Sequence, residues 1–202
     1  MEDTEKKLPG TGRIEAFSDG VIAIIITIMI LELKVPAESI ARGSFAGVVR
    51  ELGPNLFAYA LSFVIVAIML LNHHSIMRAA GHATNGLYWW NANLLFWMSL
   101  IPLATAGFGQ APGQPLAVAL YGAVMFVCGV SFTLLRRCAS RLSPADRDLA
   151  GFNRRNDAKN ALFAALYGLS VPLAYVSVVI SIAIFVVVAM AYFLPSRLPD
   201  ER

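Results

Sequence analysis

Four ionisable side chains stand out in this 202-residue chain because they border or enter long apolar stretches. Glu15 and Asp19 lie at the start of one stretch, and His73 and His74 end another. Ionisable groups in such segments are costly to bury and are therefore candidates for function. The adjacent histidines would lie about 100° apart on a helix, so they cannot share one face as a two-ligand metal site. We expect each to be a hydrogen-bonded network residue instead.

The motifs of common enzymes are missing from this sequence. It contains no His-Glu-x-x-His helix, no Gly-x-Ser-x-Gly elbow and no Walker loop, and no histidine lies close to Ser18. Two cysteines, Cys128 and Cys138, are too few for a disulfide scaffold or a cysteine-built zinc site. We therefore predict that the protein is not an enzyme and holds no cofactor or resident metal.

The composition predicts a membrane protein. The chain is 57% apolar and 14% charged, with a mean hydropathy of +0.65, whereas soluble domains carry about 25% charged residues. A bilayer-spanning helix needs about 20 mostly apolar residues. Runs of that kind occupy residues 16–33, 52–71, 87–107, 116–135 and 161–194.

The last of these runs is too long for one untilted helix. Pro172 disfavours a continuous helix, so we divide the run near residues 170–175 into a fifth and a sixth span. One long, kinked helix is the alternative. The division predicts an all-α integral membrane protein with six transmembrane helices in a single domain, residues 1–202.

The basic residues lie asymmetrically about these spans, since thirteen of the sixteen lysines and arginines flank one side. Cytoplasmic segments carry an excess of Lys and Arg. We therefore place the tail 1–12, the basic loop 136–159 and the tail 195–202 in the cytoplasm and the chain in the plasma membrane. This topology explains the isoelectric point near 9.0 without a nucleic acid partner. An alternative role for the loop is binding of anionic lipid.

An apolar stripe runs along one face of the first span. At about 100° per residue, one arc of about 80° holds five residues: Phe17, Gly20, Ile24, Thr27 and Leu31. Glu15, Ser18 and Asp19 point away from this stripe, toward other helices, where a carboxylate needs hydrogen-bond donors. The same acidic residues argue against a secretory signal cleaved near residues 35–37.

The stretch Arg13-Ile-Glu-Ala-Phe17-Ser18-Asp19 at the head of the first span resembles the signature of the transmembrane protein 175 family of potassium channels. It is most similar to the bacterial members, which have one six-helix repeat per chain. The second span through His73-His74 and the third from Asn91 to Pro102 and Thr105 also resemble those members. The resemblance covers residues 13–107, and the later spans match only in number and hydrophobicity.

This resemblance implies a homotetramer in the lipid bilayer, with the first helix of each chain lining a central pore for K⁺. It implies an apolar constriction at Ile24, the Thr27 hydroxyl one turn outward and a second apolar ring at Leu31. These replace the Thr-Val-Gly-Tyr-Gly filter, which this sequence lacks, and K⁺ would bind only transiently near Thr27. The resemblance also implies a supporting network at the cytoplasmic end, made of Arg13, Phe17, Ser18, Asp19 and His73.

One position departs from the family pattern. Leu70 stands where the family usually has Trp, three residues before the second-helix histidine, and we expect leucine to loosen the packing there. From the residues alone, three other functions stay open: a secondary transporter, a proton-conducting channel using Asp19, Glu15 and His73, and a passive assembly factor.

Overall fold

The computed structural model of the protein describes residues 10–142 and 147–193. Within these residues the chain is helical and has no strand, which confirms the predicted all-α class. The tails 1–9 and 194–202, and residues 143–146 of the predicted basic loop, lie outside the described residues. The helices are α1 (Gly12–Leu31), α2 (Ala37–Ala41), α3 (Phe45–Ala80), α4 (Asn85–Met98), α5 (Ile101–Gln110), α6 (Pro115–Ser140), α7 (Arg147–Val176) and α8 (Val178–Phe193).

In the described part of the chain, four segments are long and apolar enough to cross a membrane: α1, α3, the α4–α5 pair and α6. They coincide with the first four predicted runs. The exception in length is α3, whose 36 residues span about 54 Å at about 1.5 Å per residue, well beyond the hydrocarbon core of about 30 Å. Ser44 caps the start of α3, because its hydroxyl oxygen accepts the Gly47 N–H at 3.1 Å.

The third predicted span is broken into α4 and α5 at Ser99 and Leu100. Pro102 lies in the first turn of α5. First-turn N–H groups have no acceptor within the helix, so a proline there loses no hydrogen bond. In a continuous helix, Pro102 would have no N–H to donate to the carbonyl four residues before it, which explains why the helix breaks here. The two pieces together still form one apolar segment.

The last run forms a helical hairpin, which excludes one long kinked helix. The chain turns at Ser177, between α7 and α8, rather than at residues 170–175, and Pro172 lies inside α7. The Ser181 hydroxyl donates to the Ser170 carbonyl at 2.9 Å, and the Tyr192 hydroxyl donates to Asn160 Oδ1 at 3.1 Å. A proline in a membrane helix leaves one backbone carbonyl without its helical hydrogen bond, and packed neighbours satisfy that carbonyl. The helix therefore continues past Pro172, and the predicted boundary was wrong by a few residues.

An aromatic cluster forms the centre of the bundle. The ring of Tyr121 on α6 packs at a tilt against Phe108 on α5, at 5.1 Å between centroids, and against Phe185 on α8, at 4.9 Å. The Tyr121 hydroxyl accepts a hydrogen bond from Ser62 at 3.1 Å, and the Ser62 hydroxyl also pairs with that of Thr105 at 2.8 Å. This cluster holds α3, α5, α6 and α8 together and fixes the surface against which α1 packs.

Candidate functional site

The first helix has one buried face and one exposed face. Its buried residues are packed against α3, α4 and α5: Ile14, Ser18, Ile22, Ile25 and Met29. All five residues of the predicted stripe lie on the opposite, exposed face. Ile24 is 58% exposed and Leu31 is 79% exposed. A single chain therefore leaves the apolar stripe without any covering element among its described residues.

Thr27 is the hydrogen-bonding member of this exposed stripe. Its hydroxyl donates to the Ile24 carbonyl of the preceding turn at 2.9 Å. Because the hydroxyl hydrogen is turned toward the helix, the lone pairs of the oxygen are left for another partner. The geometry suits an oxygen that accepts from water or contacts a cation.

Ser18 and His73 are joined through Asn91, a residue to which the sequence gave no role. The Asn91 amide nitrogen donates to the Ser18 hydroxyl at 2.9 Å, and Ser18 donates in turn to the Ile14 carbonyl at 2.8 Å. His73 Nε2 lies 2.7 Å from Asn91 Oδ1, which places the proton on Nε2. All three side chains are buried, so they link α1, α3 and α4 at one level.

Asp19 belongs to a separate pair. Its Oδ1 lies 2.8 Å from His74 Nε2, so the adjacent histidines of α3 reach different partners on α1 and α4. The pair is partly exposed, with 45% of the Asp19 side chain and 37% of the His74 side chain accessible. It lies at the edge of the exposed face, where it also connects α1 to α3.

Arg13 and Phe17 lie near this network but form no hydrogen bond or ion pair with it in the part of the chain that is described. Both are exposed. With Ile14 they line one side of a cavity of about 280 Å³, and Tyr88, Asn91 and Ala92 of α4 line the other. The structure thus brings Ser18 and His73 together, pairs Asp19 elsewhere and leaves Arg13 and Phe17 at the cavity wall.

The sequence offered a weak signal for Asn91, which it left out of the site, whereas His74 is a hydrogen-bonded residue as the sequence predicted. Asn91 is an amide inside an apolar span, and such a group needs partners at membrane depth. His74 follows His73 directly, and only the helix rotation decides which one meets Asp19. Leu70 is half-buried and packs against the core. Among the described residues, no group of three potential metal ligands comes together.

Residues 13–102 match the sequence model of a protein family, described as endosomal/lysosomal potassium channel TMEM175. A potassium channel of Chryseobacterium sp. (strain P1-3) is 33% identical over 186 residues, which are 92% of this chain and 94% of the relative. The endosomal/lysosomal proton channel TMEM175 of Homo sapiens is 30% identical over 149 residues, 66% of this chain and 30% of the human protein.

A solved structure has the same fold. The crystal structure of a lysosomal potassium-selective channel TMEM175 homolog from Chamaesiphon minutus matches with a TM-score of 0.79 and 28% identity. The match covers 91% of this chain and 96% of that chain. The helical fold and these relatives place the protein in the class of membrane ion channels. Within that class, the chain belongs to the TMEM175 family.

Proposed function

We propose that this protein is a homotetrameric, potassium-preferring channel whose pore is lined by α1. The observation that carries the proposal is the uncovered face of α1, where Ile24, Thr27 and Leu31 are exposed while the opposite face is packed. Four copies around an axis would cover this face without disturbing the bundle. Relatives named as potassium channels support the choice of ion.

Six spans follow if the α7–α8 hairpin crosses the bilayer together with the four longer segments. The 16 residues of α8 extend about 24 Å at about 1.5 Å per residue, close to the hydrocarbon thickness. An even number of spans returns the chain to its starting side. Both termini then lie in the cytoplasm, which agrees with the excess of basic residues on that side, and the host membrane is the plasma membrane.

Ile24 forms the constriction in this proposal. Four isoleucine side chains at one level make a narrow apolar neck, and such necks gate by dewetting. Leu31, two turns further along α1, forms a second narrowing. Gly20 has no neighbouring atom within 4 Å of the position a Cβ would take, so it leaves the cytoplasmic side of the neck wide.

Thr27 supplies a polar hydroxyl group just beyond the constriction at Ile24. Its hydroxyl hydrogen is donated to the Ile24 carbonyl, so the oxygen lone pairs of four subunits face the pore. These oxygens replace part of the hydration shell of a passing K⁺, which is held only transiently and needs no resident metal or cofactor. K⁺ gives up water more readily than Na⁺, and the apolar neck therefore favours K⁺.

The polar residues at the cytoplasmic end support the pore helix. Ser18 and His73 act through Asn91, and Asp19 acts through His74, so both pairs hold α1 against α3 and α4. Arg13 and Phe17 complete this region from the exposed side, where a neighbouring subunit would lie. None of these residues is assigned a role in catalysis.

Proton permeation is the second candidate, and two observations favour it. Animal relatives are named as proton channels, and the Asp19–His74 pair lies beside the exposed face of α1. Thr27 is the one side chain of the predicted stripe able to form a hydrogen bond, so a proton would need transient water to pass Ile24. A secondary transporter would instead show saturable, coupled flux.

Ion flux from purified protein in liposomes tests the proposal. Matched K⁺, Na⁺ and proton gradients are applied to the wild type, to Ile24→Asn and to Ile30→Asn. Ile30 is a suitable control because it is 45% exposed on α1 but about 120° away from Ile24 around the helix. Native mass spectrometry of the same samples counts the subunits.

We expect K⁺-preferring flux from a tetramer, with Ile24→Asn raising flux and reducing K⁺/Na⁺ discrimination by about tenfold, or about 1.4 kcal/mol. Ile30→Asn should leave both unchanged. If the two substitutions had equal effects, the assignment of the constriction to Ile24 would be wrong. Flux carried mainly by protons would favour the second candidate.

A further inference from the structure

A small cavity lies between α3, α6, α7 and α8, and none of its lining residues belongs to α1. The lining of the cavity includes side chains from three helices that are able to form hydrogen bonds: Asn72 from α3, Asn160 and Tyr167 from α7, and Tyr192 from α8. The rest of the wall is apolar, with Met125 and Phe132 from α6 among its residues. A patch of polar groups in an apolar wall points to a ligand with hydrogen-bonding capacity.

Two polar groups in this lining have no hydrogen-bond partner among residues 10–142 and 147–193. Asn160 is 9% exposed and Tyr167 is 4% exposed. The Tyr192 hydroxyl donates to Asn160 Oδ1 at 3.1 Å, which occupies the amide oxygen. The Asn160 amide nitrogen and the Tyr167 hydroxyl form no hydrogen bond with any described residue. Burying such groups unpaired is costly, and buried polar groups in native proteins are nearly always satisfied.

The size and polarity of the cavity decide which ligand fits. The space open to the centre of a water-sized sphere is about 20 Å³, and one water needs at least about 10–15 Å³ on that measure. The Asn160 amide nitrogen is a donor and requires an acceptor, so a metal cation does not satisfy it. Water both accepts and donates, and the space is large enough for one water molecule.

We propose that this cavity is a buried water site. One ordered water accepts a hydrogen bond from the Asn160 amide nitrogen, shares another with the Tyr167 hydroxyl and reaches the amide of Asn72. Buried waters typically form about three such bonds. The water therefore links α7 to α3 at Asn72, directly before the two histidines that hold α1.

Hydroxyl-radical footprinting by X-ray radiolysis tests the site directly, since radicals formed from a bound water modify the adjacent side chains. Tyr121 is the matched control, because it is fully buried and its hydroxyl is already paired with Ser62. We expect Tyr167 in the wild-type protein to be modified at least several times faster than Tyr121. Equal rates for the two tyrosines would overturn the proposal without any substitution.

Thermal unfolding of variants in the same detergent gives the second measurement. Tyr167→Phe keeps the shape of the side chain and removes only the hydroxyl. If the hydroxyl binds the water, Tyr167→Phe lowers Tm by about 2–4 °C; if the hydroxyl is unpaired, Tm stays or rises. Tyr192→Phe, which removes a bond made directly to Asn160, calibrates the loss of one protein hydrogen bond.

A double-mutant cycle separates a shared water from two independent groups. Asn160→Leu and Tyr167→Phe are measured alone and together, both in a Tyr192→Phe background that removes the direct bond beforehand. A shared water makes the combined loss of Tm smaller than the sum of the single losses. Additive losses, or a Tyr167→Phe variant as stable as its parent, overturn the proposal.

Discussion

At the scale of single residues, Asn91 is the polar group on which the site depends most. It bonds to Ser18 on α1 and to His73 on α3 while lying on α4 itself. Its two partners are far apart in sequence. Among the described hydrogen bonds, neither Ser18 nor His73 bonds to any other side chain. A group in this position sets how α1 is held, although the sequence marks it only as an amide in an apolar span.

We expect Asn91→Leu to lower the free energy of unfolding by about 2–3 kcal/mol, because it leaves the buried His73 Nε2 and the Ser18 hydroxyl oxygen without their partner. Asn93→Leu on the same helix is the control. Asn93 is only half-buried and bonds to a single partner, the buried Ser131, at 2.9 Å, so its loss should be about 1 kcal/mol. Denaturant or thermal melts in detergent compare the two, and an Asn93 loss equal to that of Asn91 would contradict this ranking.

The Asp19–His74 pair should matter much less for the stability of one chain. Both side chains are partly exposed, and exposed ion pairs contribute about 0–1 kcal/mol. We expect Asp19→Asn to change the unfolding free energy by less than about 1 kcal/mol, measured on the same melts. A loss of several kcal/mol would show that the pair is buried in the assembled protein.

At the scale of the helices, close contact between α6 and α7 depends on glycine. A Cβ built on Gly129 would lie 2.9 Å from the Cβ of Ala164, which is closer than two carbon atoms approach. Small residues at helix crossings let the backbones of membrane helices pack tightly. This crossing brings Asn160 and Tyr167 of α7 against α6, and it therefore fixes the cavity described above.

Gly129→Ala should cost about 1–3 kcal/mol of stability, because the added methyl group forces two backbones apart. Gly107→Ala on α5 is the matched control, since a Cβ there meets no atom within 4 Å. Alanine is the better helix former by about 1 kcal/mol, so the control should be neutral or stabilising. Equal losses at the two glycines would mean that the crossing is not the cause.

At the scale of the whole molecule, the α7–α8 hairpin decides the number of spans. The Ser170–Ser181 and Asn160–Tyr192 bonds show that the two helices run antiparallel. If both cross the bilayer, Ser177 at the turn lies on the side opposite the basic residues. If the hairpin does not cross, Ser177 stays on the cytoplasmic side or inside the membrane.

Cysteine labelling distinguishes these topologies. In a background with Cys128→Ala and Cys138→Ala, we expect Ser177→Cys to react with an impermeant maleimide added outside intact cells. Ser140→Cys, at the exposed end of α6, should react only after the membrane is permeabilised. Labelling of Ser177→Cys that also requires permeabilisation would contradict the six-span topology.

Hydrophobicity and periodicity predicted the helical class, the first four apolar segments and the set of residues that share one face of α1. These are local properties, because run length and the angle of about 100° per residue depend only on neighbours in the chain. The break between α7 and α8 was placed a few residues early. Pro172 is accommodated inside a packed helix, and packing is information that a local rule does not contain.

The sequence by itself determined that this protein is a helical membrane protein with an apolar stripe from Phe17 to Leu31, and its motif at Arg13–Asp19 indicated the TMEM175 family. Only the tertiary structure decided that Asn91 joins Ser18 to His73 and that His74 pairs with Asp19. The reason is geometric: residues 18, 73 and 91 lie on three helices. Their contacts depend on how those helices are rotated and shifted against one another, which no spacing along the chain specifies.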